Sequence, residues 1–70
     1  MDNVNHPAHY TMGKIEVIDA LEDWVLNFHK ANAVKYIARA GRKDPDKEIE
    51  DLQKAICYLS RNIQILKEEL

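Results

Sequence analysis

A single cysteine, Cys57, is present among the 70 residues, so no internal disulfide can form. Its helical, largely apolar surroundings predict a small core residue in a reducing compartment. Glycine is equally scarce, with Gly13 and Gly41 only, and proline is limited to Pro7 and Pro45. Long stretches therefore carry neither of the residues that most often break a helix. No apolar run approaches the ~20 residues that span a bilayer. The polar N-terminus lacks the apolar stretch of a secretory signal, so the expectation is a protein without membrane contact. The formal net charge is −2, which argues against bulk electrostatic attraction to duplex nucleic acid.

What is present is apolar content of 46% with 31% charged residues, a globular balance. A chain this short forms one domain at most. It buries only about 60% of its unfolded surface, so a lone copy is marginal. Disulfides, a metal or self-association are the usual remedies, and the first is unavailable.

The chain divides into a polar arm and three helices. Residues 1–13 show no periodicity and read as irregular. Lys14 to about Leu26 reads as a first helix with Ile15, Ile18, Leu21 and Val25 as its stripe. Asn27 is a candidate N-cap. Ala31–Ala40 reads as a second helix, with Ala33, Val34, Ile37 and Ala40 on its apolar side. Gly41 is placed to end it. Asp44 and Pro45 form an N-cap and N1 pair for a third helix running to Leu70.

That third helix carries a heptad seam: Ile49, Leu52, Ile56, Leu59, Ile63, Leu66 and Leu70 recur at alternating threes and fours. At 1.5 Å per residue the helix would be about 39 Å long, against an expected radius of gyration of about 11 Å. Two short helices cannot cover it, so its distal half is expected to meet another subunit. Tyr58 and Ile65 add a second edge, which favours a bundle over a plain two-stranded coil. The fold expected is all-α: three helices, the last long and heptad-patterned, assembled as a homo-oligomeric bundle.

Asn32, Lys35, Arg39 and Arg42 fall at spacings of three, four and three, which aligns them on one helical face. Tyr36 lies beside them. Cations near a helix C-terminus also complement the dipole and often amount to a solvated face. Here they lead through a turn into the start of the third helix, where free N–H groups favour an anion. Arginine suits two-pronged phosphate binding. Against this, Asp44, Asp46 and Glu48 crowd the same helix start and could neutralise the cations. In the arm, His6, His9 and Tyr10 could hydrogen-bond a ligand or stack on a base. No ligand spacing matches a zinc module, so no metal site is expected. Trp24 and Phe28 read as core or interface anchors.

Taken together, VNHPAHY, GKIEVIDALEDW, NAVKYIARAGRK and EDLQKAICYL closely resemble the SaV-like family of small phage proteins. That family is related to the nucleotide kinase of T-odd coliphages, and the resemblance spans about Val4 to Ile63. It implies a phage origin, residence in the host cytoplasm and a single helical nucleotide-binding domain over 1–70. It also implies ligand contacts from Asn5, His6, His9, Tyr10, Asn32, Lys35, Tyr36, Arg39, Arg42, Asp51 and Lys54. One departure is Ala31, where the family often has glycine.

The first functional expectation is an oligomeric binder of a nucleotide or cyclic nucleotide, held at a subunit junction. Such a protein could sequester a nucleotide signal of host defence. The second is a nucleoside monophosphate kinase, in which a divalent metal could assist and His6, His9 and Asp51 would be candidates for proton transfer or metal organisation. The phosphate-cradling GxxxxGK[ST] loop is absent, and a 70-residue kinase would need a site shared between subunits. The third is a protein-binding module that inhibits a host factor through its heptad face.

Overall fold

The computed structural model describes residues 13–70. The arm residues Asn5, His6, His9 and Tyr10 lie outside the described residues. Within them the elements are α1 (Val17–Trp24), α2 (Phe28–Arg39), a 3₁₀ turn (Pro45–Lys47) and α3 (Glu48–Glu68). The described chain is all-helical. Among the described residues, no helix is long and apolar enough to cross a membrane.

α1 is shorter than its periodicity predicts, and its end explains why. Val25 adopts the left-handed conformation at φ 52°. Its N–H bonds to the Glu22 carbonyl and that of Leu26 to the Leu21 carbonyl, the two bonds of a Schellman stop. A β-branched residue is costly at that position. The expected α1 stripe is only partly covered. Leu21 is half-buried, whereas Ile15, Ile18 and Val25 are exposed.

α2 begins three residues earlier than expected. Asn27 is the cap, and its side-chain oxygen accepts from the Lys30 N–H, which satisfies one of the four orphan donors at a helix start. The helix ends at Arg39 in a type II turn. Ala40 (φ −56°, ψ 121°) and Gly41 (φ 77°) are its central residues, closed by Arg42 N–H to the Arg39 carbonyl at 2.9 Å. Only glycine takes the second position without strain. A Cβ there would also lie 2.6 Å from Oε2 of Glu48.

Asp44 caps the next segment as its sequence suggests, accepting from the Asp46 N–H at 3.0 Å. With Pro45 at the first position, the segment opens as a 3₁₀ turn and becomes α-helical at Glu48. The 21 residues of α3 span about 31 Å.

α3 packs along α2 as an antiparallel hairpin, and α1 makes a smaller contact with α2. The surface α3 turns to α2 is not its apolar seam. Asp51, Ala55 and Asn62 are buried on that helix, with Tyr58 and Ile65 half-buried. These five recur at four, three, four and three, the same period as the seam. At 100° per residue the two stripes are centred about 110° apart. Ala33 on α2 and Ala55 on α3 are the buried apolar residues among those described. Two small side chains let the backbones approach closely, and polar pairs bracket them. Arg39 meets Asp51 at one end. Asn27 Nδ2 donates to Asn62 Oδ1 at 2.9 Å at the other.

Seam residues Ile49, Leu52, Ile56, Leu59, Ile63, Leu66 and Leu70 all remain exposed. The radius of gyration is 13.3 Å, above the about 11 Å of a compact chain this size. Cys57 is a correction to the sequence reading. It is exposed rather than buried, because its phase places it with Glu50, Gln64 and Glu68 on the polar side of α3.

Candidate functional site

The hairpin brings α2 residues numbered in the thirties opposite α3 residues in the fifties. Tyr36 therefore faces Lys54 and Tyr58 across the groove. The Tyr36 and Tyr58 rings stack with centroids 5.8 Å apart and an 18° interplanar angle. The Arg39 guanidinium carbon lies 4.5 Å from the Tyr36 ring centroid and Lys54 Nζ lies 5.4 Å from it, both within cation–π range. Phe28 meets Tyr58 edge-on at 6.0 Å and His29 at 5.4 Å. The result is an aromatic ledge along one flank of the hairpin with cations at one end, its Phe28 exposed and its Tyr36 and Tyr58 half-buried.

Arg39 is oriented from below. Its Nε and Nη2 both donate to Oδ1 of Asp51, at 3.2 and 3.0 Å. The Asp51 side chain is only 3% exposed, so the carboxylate is compensated by the guanidinium rather than by water. The acids feared to neutralise the cations, Asp44, Asp46 and Glu48, are not the partners of Arg39. Lys54 lies 3.6 Å from Glu50 on an exposed, screened pair.

Tyr36, Arg39, Asp51 and Lys54 are thus brought together. Asn32 lies one turn before Tyr36, and its Nδ2 donates to the Phe28 carbonyl at 2.8 Å, while Lys35 is exposed on the same flank. Arg42 departs from the expected stripe. α2 ends at Arg39, so Arg42 is an exposed turn residue rather than a fourth member of one helical face. Phe28 and Tyr58 are the contributors that sequence reasoning did not place here. It assigned Phe28 to a core or interface and Tyr58 to a second apolar edge. The spacing of Tyr58 four residues after Lys54 was the available signal, since those two share a face.

The ledge and the apolar seam lie on opposite sides of the hairpin. On α3, Lys54, Tyr58 and Arg61 are turned about 50° one way from the α2-facing stripe, and the seam about 110° the other way. On α2 the same sense separates Asn32, Lys35 and Arg39 from the exposed Ile37. Among the described residues, no three His, Cys, Asp or Glu side chains gather as a metal cluster.

These features define a small all-α protein built on one helical hairpin, with an aromatic and cationic flank and an apolar flank. Residues 4–60 match the family model described as protein of unknown function (DUF3310), and the chain belongs to that family. Neither a curated protein nor a solved structure matches it.

Proposed function

We propose that this protein binds a nucleotide or cyclic nucleotide on the Tyr36 flank and works as a homo-oligomer. The observation that carries the reading is the Tyr36–Tyr58 stack with Arg39 and Lys54 over the Tyr36 ring. Aromatic faces accept any nucleobase by stacking, and neighbouring cations hold phosphate. Lys35 and Lys54 are the phosphate contacts in this reading. Arg39 and Asp51 hold the ledge, and Asn32 offers polar recognition at its edge. The arm residues Asn5, His6, His9 and Tyr10 would complete recognition of base or sugar, and Arg42 would extend the cationic rim.

The resemblance to SaV-like phage proteins supports a phage origin and a role in the host cytoplasm. There, holding a nucleotide signal of host defence would need no chemistry. A second reading has its own support. The uncovered heptad seam suits a module that docks on a host protein.

Calorimetric titration of the purified chain with nucleoside mono- and triphosphates and cyclic nucleotides tests the first reading. Saturable binding that weakens at least tenfold in Tyr36→Ala and Lys54→Ala supports it. No heat at millimolar nucleotide contradicts it. Phosphoryl transfer from a triphosphate to a monophosphate in the same mixture would indicate a kinase instead.

A further inference from the structure

An amphipathic helix must bury its apolar stripe against some other element. Among the described residues, α3 packs along α2, and the stripe it presents there holds Asp51, Ala55 and Asn62 buried with Tyr58 and Ile65 half-buried. The apolar stripe faces away, with Ile56, Ile63 and Leu66 each more than half exposed. Ile37 of α2 is also more than half exposed. Its helical phase and level set it beside Leu52, so the apolar flank extends across both helices.

The whole chain exposes 5407 Å², about 900 Å² more than a compact monomer of this mass. Among the described residues the seam is a continuous apolar strip, from Ile49 at 73% to Leu59 at 41% exposure, and a standard stable interface covers ~800 Å² on each partner. A seam of this length also matches itself. Its isoleucines and leucines alternate without a charged residue, and its outer edge carries Gln53, Ser60 and Lys67, none of them acidic.

We infer that the flank formed by Ile37, Leu52, Ile56, Leu59, Ile63 and Leu66 docks on the same flank of a second copy. The dimer completes the missing layer with four central helices. Because the Tyr36 ledge lies on the opposite side of each hairpin, each copy keeps its ledge open, facing outward. Assembly and ligand binding are therefore separable, and the ledge is not built at the seam. The inference rests on the self-association proposed above, and it assigns that association to one face.

Sedimentation equilibrium of the full chain, with circular dichroism, tests it. The expected result is a mass of two chains of 8.1 kDa, or an even multiple. It should fall to one chain in Ile56→Glu/Ile63→Glu with helicity retained, and stay unchanged in Arg61→Glu on the other flank. Should the double variant unfold, single cysteines in a Cys57→Ser background decide. Cross-linking between copies at Ile56→Cys and not at Arg61→Cys supports the seam, and the reverse overturns it. A wild-type monomer at 100 µM overturns it. So does an oligomer that survives the double substitution, although self-association itself would then stand. Nucleotide titration of the same samples reports separately on the ledge. Binding in wild type that is lost in the folded monomer would overturn the separability.

Discussion

Arg39 and Asp51 form the polar lock of the α2–α3 hairpin: two guanidinium nitrogens converge on one carboxylate oxygen that water barely reaches. The pair lies on the face α3 shows to α2. Without it, a stripe holding Asp51 and Asn62 would be a poor competitor for a stripe of isoleucine and leucine.

Removing one partner exposes the asymmetry of such pairs. Arg39→Ala leaves a buried carboxylate uncompensated and should cost about 3 kcal/mol, whereas a paired Arg39→Met/Asp51→Leu replacement should recover most of it. Urea denaturation of the two variants measures this. A double variant no more stable than Arg39→Ala would contradict this, because relieving the stranded carboxylate would then have restored nothing.

At the other end, Asn27 does two jobs. It caps α2 through Oδ1 and donates to Asn62 through Nδ2. Asn27→Ala should lose about 2 kcal/mol, from a missing cap and a buried amide left unpaired. Asn27→Asp keeps the cap and can accept from a rotated Asn62 amide, so it should be close to neutral. Thermal melts of both variants check this, and a large loss in Asn27→Asp would show that the inter-helix bond needs the Asn27 amide as donor.

Val25 holds a left-handed conformation on an 84% exposed side chain. That backbone costs an L-residue roughly 1–2 kcal/mol, offset in part by the greater unfolded freedom of glycine. Val25→Gly should therefore raise stability by about 0.5–1 kcal/mol, read as a higher urea midpoint with an unchanged slope. A fall would mean that the valine side chain has contacts in the assembled protein.

Gly41 carries two constraints, its φ of 77° and the approach of Glu48. Gly41→Ala should destabilise by about 1–2 kcal/mol. Adding Glu48→Ala should restore only the steric share, because the backbone penalty stays. Full restoration would show that the conformation is not strained for alanine.

Much of this fold can be read from residue chemistry. Asn27, Asp44 and Pro45 mark helix starts by capping rules, and Gly41 marks a stop. Helix count and class follow from them. Which side of α3 meets α2 cannot be read that way, because both stripes repeat every three and four residues. The decision lies in partners on α2, Arg39 for Asp51 and Asn27 for Asn62, and pairing across a groove has no local signature. The same holds for the ledge. Tyr36 and Arg39 are legible beside one another on α2, and Asp51 and Lys54 join them only through the family resemblance, while the part played by Tyr58 emerges once the hairpin register joins it to Tyr36. Val25 ended α1 early against its periodicity, since no residue rule favours valine in that conformation.

The most direct test of a hairpin with two unlike flanks is a nitrogen–proton correlation spectrum of the full chain, recorded while a nucleotide is added. The account expects shifts at Asn32, Lys35, Tyr36, Lys54 and Tyr58, with Leu52, Ile56 and Ile63 unmoved. Shifts confined to those seam residues, or none at saturating nucleotide, would contradict it.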